Sequence, residues 1–513
     1  MATNRPPITG RQWAALAVLT LPVLLIAVDM TVLGFAVPFL SEDLDPSAGQ
    51  LLWIVDVYGL VLAGLLITMG GVADRVGRRK LLLIGSVGFA AASVIAAYST
   101  SPEMLIAARV LLGVAGGTLM PTTLASIRHV FPDDRQRILA IAVWGSAFSA
   151  GAAAGPIIGG WLLTHFWWGS VFLMAAPVSL VVVLAAPFVL PESRDPRPGP
   201  LDFPSVALSF FAMVPFAYSV KHFATDGFNL VSVAALLAAV VSGYLFVKRQ
   251  QRLEHPLMDL DLFRVPRFSA SVATNFTFVF AHIAAMFLLT QYLQLVLGYS
   301  PMQAGVILIP GLVLAVASHF VAVRLSQRLS LATIIGWGTA LATIGFLVIT
   351  QTSVDSGAAL VALAFAAVGT GLGLAETVTN DAIMTAAPAH RAGAASAISE
   401  TGYELGGALG VAVLGSVATA VYQSELADAP ASARQTLAGA LETAGGMEPE
   451  AGGELVSRAQ QAFTDSLDVA AFIGAGLLIA VGTVVVLVLR RDARRRQETE
   501  TAAAEEPKAP VGV

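Results

Sequence analysis

Six ionisable side chains stand inside otherwise apolar stretches of this 513-residue chain: Asp29, Asp56, Arg109, Glu376, Glu400 and Glu404, with Asp381 near the end of one such stretch. A charge near the centre of a bilayer costs about 2.5–3.5 kcal/mol on insertion scales, so each is a functional candidate. A carboxyl in such surroundings can take up and release a proton, and its charged form can hold an organic cation. Counted at 1.5 Å per residue, Asp29 lies roughly 16 Å below the outer end of its stretch, and Arg109 roughly 8 Å below that of its own. If their helices are neighbours, Asp29 is the main proton acceptor and Arg109 tunes it; a purely structural ion pair is the competing reading. Asp56 fits a proton path, an outer vestibule that attracts cations, or a helix–helix hydrogen bond. Glu400 and Glu404 are four residues apart and so share one helix face, with Tyr403 beside them. Two charged carboxyls so close repel each other, which suits competition between a proton and an organic cation. They are the expected cation site, with a structural network as the alternative. Tyr58, two residues beyond Asp56, and Tyr403 are the aromatics best placed for cation–π contact. Glu376 and Asn380 share a face toward an inner helix end, where a cation-entry role and a plain polar helix end are both open.

These residues need helices to hold them. The chain is 56% hydrophobic and 12% charged, about half the charge of a soluble domain, which excludes a multidomain soluble enzyme. It contains no Cys, so disulfides, thiolate metal sites and iron–sulfur clusters are excluded. A spanning helix takes about 20 apolar residues, and fourteen stretches qualify. They are 13–40, 50–72, 81–99, 104–126, 138–163, 168–190, 203–221, 228–248, 268–296, 301–323, 331–350, 357–379, 394–422 and 467–490, numbered here as spans 1 to 14. With the N-terminus inside and the spans alternating, 25 of the 29 Lys and Arg fall on the inner side and three outside. That asymmetry predicts both termini in the cytoplasm. The expected fold is an all-α integral membrane protein of fourteen helices. Residues 1–190 form one six-helix bundle, 191–267 carry linkers and an inserted pair (spans 7 and 8), and 268–490 form a second six-helix bundle. The outer loop 423–466 is acidic and reads as solvated, with short amphipathic helices at 431–443 and 451–464. The cytoplasmic tail, 491–513, is Glu/Ala/Pro-rich beyond 497 and reads as disordered there. Two repeated halves point to a secondary transporter with its site between them. No Walker A motif occurs, so an ion gradient rather than ATP is the expected drive, with no cofactor and no metal.

Two motifs are specific. Gly70-Gly71-Val72-Ala73-Asp74-Arg75-Val76-Gly77-Arg78-Arg79 lies between spans 2 and 3. Its glycines make a tight turn and Asp74 can pair with an Arg, a charge latch that holds one conformation and releases in another. Span 5 carries Gly151, Gly155, Pro156, Gly159 and Gly160, small residues at helix-contact spacing with a helix-bending Pro. The first is similar to the G-x-x-x-D-R-x-G-R-R signature of the major facilitator superfamily, the second to the antiporter signature of its drug-exporting branches. Asp29-Met30-Thr31-Val32 through Pro38, together with Arg109-x3-Gly113-x3-Gly117, resembles the 14-helix drug:proton antiporter family, the QacA/LfrA-type multidrug exporters. The resemblance runs over residues 13–490. It implies a proton-coupled antiporter in a bacterial cell membrane that exports lipophilic cations such as quaternary ammonium biocides and dyes. The expected partners are those cations, protons and membrane lipids, with no nucleic acid, and the chain acts as a monomer. Some relatives carry an acid in span 10, absent here between 301 and 323, which bears on divalent cations. Export of a self-made antibiotic or neutral metabolite, and transport of an envelope lipid, are the competing functions. An enzyme is excluded by the scattered acids, which form no nucleophile–base constellation.

Overall fold

The structure, a computed structural model, describes residues 7–195, 202–226, 229–254 and 256–505. Fourteen of its helices are long and apolar enough to cross a membrane. Their starts are written locally in the sequence. Thr9, Ser47 and Ser300 each form a reciprocal cap with a Gln three residues on, opening spans 1, 2 and 10. Span 1 is Gly10–Leu44, span 2 Ala48–Val76, span 3 Arg78–Ala97, span 4 Pro102–Val130 and span 5 Asp134–His165. Span 6 is Ser170–Val189. Spans 7 and 8 are Phe203–Asp226 and Leu230–Gln250. Span 9 is Pro266–Gln291 with a π turn Tyr292–Val296, followed by spans 10 (Pro301–Leu325), 11 (Leu331–Ile349), 12 (Ala358–Ala386) and 13 (Ala392–Glu425).

The packing repeats with an offset of eight. Span 1 lies on spans 4, 5 and 6, and span 9 on spans 12, 13 and 14. Span 4 packs on spans 2 and 3, and span 12 on spans 10 and 11; span 3 meets span 6 as span 11 meets span 14. One apolar cluster fills the first half and continues onto Ile383, Met384, Ala395 and Ile398 of spans 12 and 13; another lies within the second half. The halves meet where span 2 crosses span 13 and span 5 crosses span 10, again related by the offset. Span 7 covers the seam between spans 2 and 13, while span 8 packs mainly on span 7. Thr68 and Ser209 join spans 2 and 7 at 3.1 Å, and Trp53 stacks on Tyr218 with centroids 6.3 Å apart. Arg249 at the end of span 8 binds both oxygens of Asp202 at 2.6 and 2.7 Å, and this pairing draws the Asp202 carboxyl down to about 2.

Two expectations need correction. The outer loop does not form a solvated strand of chain with two short helices. Ala431–Gln435 and Leu437–Gly445 are short helices, but 451–464 belongs to span 14, one helix from Pro449 to Glu505. At 1.5 Å per residue it is about 85 Å long, far beyond the roughly 30 Å hydrocarbon core. Leu437, Ala440, Leu455 and Ala459 pack into the core of the second half, which gives the loop an apolar face to bury. The tail likewise continues as helix to Glu505 rather than losing structure at 497, because Ala- and Glu-rich sequence prolongs a helix already nucleated. Residues 506–513, and the linker residues 196–201, lie outside those described.

Candidate functional site

Two clusters of buried polar groups lie one in the first half and one between the halves. In the first, Arg109 donates from Nη1 to Asp29 Oδ2 at 2.9 Å and from Nε to the Ile54 carbonyl at 3.1 Å. Both side chains are almost fully buried, and the guanidinium lies 4.5 Å from the centre of the Tyr58 ring. Tyr58 is itself buried, with no hydrogen-bond partner for its hydroxyl. The different depths counted from the sequence misplace this pair. Span 1 runs on to Leu44, beyond the expected residue 40, so counting from its end gives no common depth scale with span 4. Tyr58 thus sits with the Asp29–Arg109 pair. Asp56 is half-buried and engaged in an interaction of its own.

The second cluster lines a cavity of about 10 Å³ between the halves, hardly room for one water. Trp144 and Phe148 come from span 5, Glu376 and Asn380 from span 12, and Glu400 and Tyr403 from span 13. Phe148 meets Tyr403 edge-to-face across the interface at 5.5 Å. Among the described residues lining this cavity none is basic. Asn275 of span 9 donates to Asn380 at 2.8 Å and to Ser399 at 3.2 Å, and Ser399 donates to Asn380 at 2.8 Å. Thr379 closes this knot on Asn275. Glu404, one turn beyond Glu400, is half-buried and near enough to act electrostatically on Glu400, Tyr403 and, across the interface, Tyr58. It stands between the two clusters. Asn275 and Ser399 were not singled out from sequence; an Asn in the middle of the apolar span 9 was the available signal.

Below the cavity, at the end of the bundle that carries the basic loops, the halves are bolted together. Asp74 Oδ1 accepts from Arg78 Nη2 at 2.8 Å and from the Gly393 amide at 2.9 Å, while Oδ2 accepts from the Ala394 amide at 3.0 Å. Those amides open span 13, so the carboxylate caps a helix N-terminus of the other half. Arg78 continues to the Ala389 carbonyl at 2.9 Å. A Cβ on Gly70 would collide with the Gly393 carbonyl and Ala397, which explains the small residue there. Gly77 has φ +110°, a conformation that favours glycine. Arg75 bonds the Gly71 carbonyl at 2.9 Å, and Arg79 the Leu190 carbonyl at 3.1 Å. Beside the Asp74 contacts, Arg137 of span 5 pairs with Asp381 of span 12 at 2.6 Å, both buried, and Arg128 reaches the Ala387 carbonyl. Arg391 pairs with Asp259. From sequence these arginines read only as positive-inside residues and Asp381 as an acid near a span end; in the structure Asp381 is a partner in this seal.

The span-5 glycines serve a different contact. A Cβ on Gly151 would meet the Leu24 carbonyl at 2.7 Å, one on Gly155 would strike Thr31, and one on Gly159 would meet Val32 at 2.5 Å. They zip span 5 against the stretch of span 1 that carries Asp29. Gly160 faces open space, and Pro156 continues the helix with its side chain outside those described.

A family model for the Major Facilitator Superfamily matches residues 19–411. The chain belongs to that superfamily. It is therefore a multi-pass membrane transporter and not an enzyme. The superfamily member is 45% identical to the multidrug efflux pump LfrA of Mycolicibacterium smegmatis, over 96% of this chain and 98% of that protein. It is 35% identical to the methyl viologen resistance protein SmvA of Salmonella typhimurium, over 92% and 97%. It is 31% identical to the tetracenomycin C resistance and export protein of Streptomyces glaucescens, over 97% and 94%. The crystal structure of the human organic anion transporter MFSD10 shares the fold, with TM-score 0.60 and 16% identity over 92% of this chain and all of that one.

Proposed function

We propose that this protein is a proton-coupled efflux antiporter for lipophilic cations, placed in a bacterial plasma membrane with both termini in the cytoplasm. The observation that carries the reading is the cavity between the halves, where Glu376 and Glu400 stand among Trp144, Phe148 and Tyr403 with no basic residue among the described lining. Carboxylates framed by aromatic faces recognise a flat or quaternary cation by charge and cation–π attraction together. The names of the relatives, multidrug efflux pump and methyl viologen resistance protein, agree with that chemistry.

The geometry supplies a coupling route. A proton on Asp29 cancels the charge that holds Arg109, leaving the arginine on the Ile54 carbonyl and the Tyr58 ring. Span 1 is then free to shift against span 4. Because span 5 is zipped to span 1, the shift reaches Arg137 at the foot of span 5 and strains its pair with Asp381. The basic end opens, the proton leaves to the cytoplasm, and a cation enters on Glu376, Glu400 and Glu404. The sealed basic end described above is the opposite, outward stage of this cycle.

The test is accumulation of ethidium in cells expressing the chain, with and without a protonophore. Energised cells should exclude the dye and lose that ability when the gradient collapses; exclusion that survives the protonophore contradicts proton drive. A second reading, export of an antibiotic metabolite, draws support from the tetracenomycin-type relative. Efflux of neutral polyketides without efflux of ethidium would favour it.

A further inference from the structure

Away from the central site, at the basic end of the second half, a cavity of about 510 Å³ opens between the starts of spans 9 and 11 and the descending part of span 14. Its lining brings Arg267, Arg490 and Arg494 together against a single acid, Asp492. Arg490 and Arg494 are one helical turn apart and exposed, so both guanidiniums reach the same space. Arg267 contributes a buried Nε that has no hydrogen-bond partner, a donor in want of an acceptor. The third wall is the first turn of span 11. Ser330 caps that helix by accepting from the Thr333 amide, and the next two residues of the first turn, Leu331 and Ala332, line the cavity with it. Amides of a first helical turn favour an anion. Toward the bilayer interior, Trp337 of span 11 and Val484 and Leu487 of span 14 present exposed apolar side chains.

We infer that this cavity binds the headgroup of an anionic glycerophospholipid. The phosphodiester sits between Arg267, Arg490 and the span-11 amides, Arg494 covers its outer side, and the acyl chains run along the apolar faces of spans 11 and 14. The volume falls in the range of small-molecule pockets, and basic pockets between helices at the inner membrane surface are suited to such headgroups. A zwitterionic headgroup fits less well, because its ammonium would face three guanidiniums and find only Asp492. The lipid would tether three spans of the second half at the end where the halves are bolted, without contact with the transported molecule.

The experiment is a count of lipids retained by the purified full-length protein, by native mass spectrometry, after exchange into phosphatidylglycerol or phosphatidylcholine. The wild-type chain should retain one phosphatidylglycerol and no phosphatidylcholine. R267Q/R490Q, and the surface-only R490Q/R494Q, should lower retention at least about tenfold, the loss of one or two charge-assisted bonds. R491Q/R495Q, which removes the same charge outside the cavity, should leave it unchanged. Size-exclusion profiles check that each variant is folded, and R490Q/R494Q keeps the test valid if the Arg267 variant is not. The proposal is overturned if both charge-matched doubles lose lipid equally, if phosphatidylcholine is retained as well, or if millimolar inorganic phosphate displaces the lipid, which would make this a site for free anions.

Discussion

Replacing Asp74 with Asn should shift this protein from the closed toward the open form at its basic end. Asp74 is 5% exposed, and its carboxylate accepts from Arg78 Nη2, Arg78 Nε, the Gly393 amide and the Ala394 amide. An Asn keeps one carbonyl oxygen. Its amide group then points a donor at the Ala394 amide, so that bond is lost, and the bonds to Arg78 and Gly393 lose their charge assistance. One charge-assisted bond is worth about 1.5–3 kcal/mol, so the loss is about 3 kcal/mol when the weakened bonds are included. At 1.4 kcal/mol per decade, the ratio of closed to open falls about 100-fold. The chain has no Cys, so spin labels introduced at His129→Cys and His390→Cys report only the distance between the halves. Both positions are exposed at the basic end. Pulsed electron resonance should give one short distance in the labelled parent and a dominant longer one with Asp74→Asn. An unchanged distribution in a folded variant would refute the claim that these bonds hold the closed state.

Three further outcomes follow from the same contacts. Gly70→Val drives a side chain into the backbone of span 13, so ethidium efflux should fall at least about tenfold while membrane content is unchanged; wild-type efflux would contradict the close crossing. Asp29→Ala strands a buried Arg109 at about 3–5 kcal/mol, visible as a lower melting temperature in detergent. The double variant with Arg109→Met should recover most of that stability without recovering proton-driven efflux, and recovered efflux would remove Asp29 from the coupling route. Arg137→Gln and Asp381→Asn should each open the basic end, and the double should be no worse than either single; additive effects would mean that the two side chains act through other partners.

The spans, their number and the turn that carries Asp74 were legible because each rests on a local signal. Hydropathy over some 20 residues marks a helix, and Gly and Asp at fixed spacing mark a turn with a cap. Asp29 and Arg109 could be linked only as charges in apolar stretches, on the condition that their helices adjoin; their direct contact needed the fold. What the sequence concealed was mostly long-range. Arg137 and Asp381 are 244 residues apart, and each had an adequate local explanation, one as an inner-side cation and the other as a polar helix end. Asn275, Asn380 and Ser399 become a network only when spans 9, 12 and 13 converge. Tyr58 follows Asp56 in the chain and reads from sequence as an aromatic for cation–π contact; that its ring faces Arg109 depends on span 4 packing against span 2. The length of span 14 was missed for another reason. Its outer turns are too polar to read as membrane, and only packing against the short loop helices shows that they continue the span.

Protons carried by Asp29 exchange for lipophilic cations held by the acids between the halves. This exchange is tested most directly in proteoliposomes containing the purified chain, with an internal pH dye and ethidium added outside. Under an imposed gradient, acid inside, ethidium should accumulate as the lumen alkalinises. Glu400→Gln should impair both, and Asp29→Asn should abolish both. Ethidium movement that leaves the internal pH unchanged, or that persists in Asp29→Asn at the wild-type rate, would contradict it.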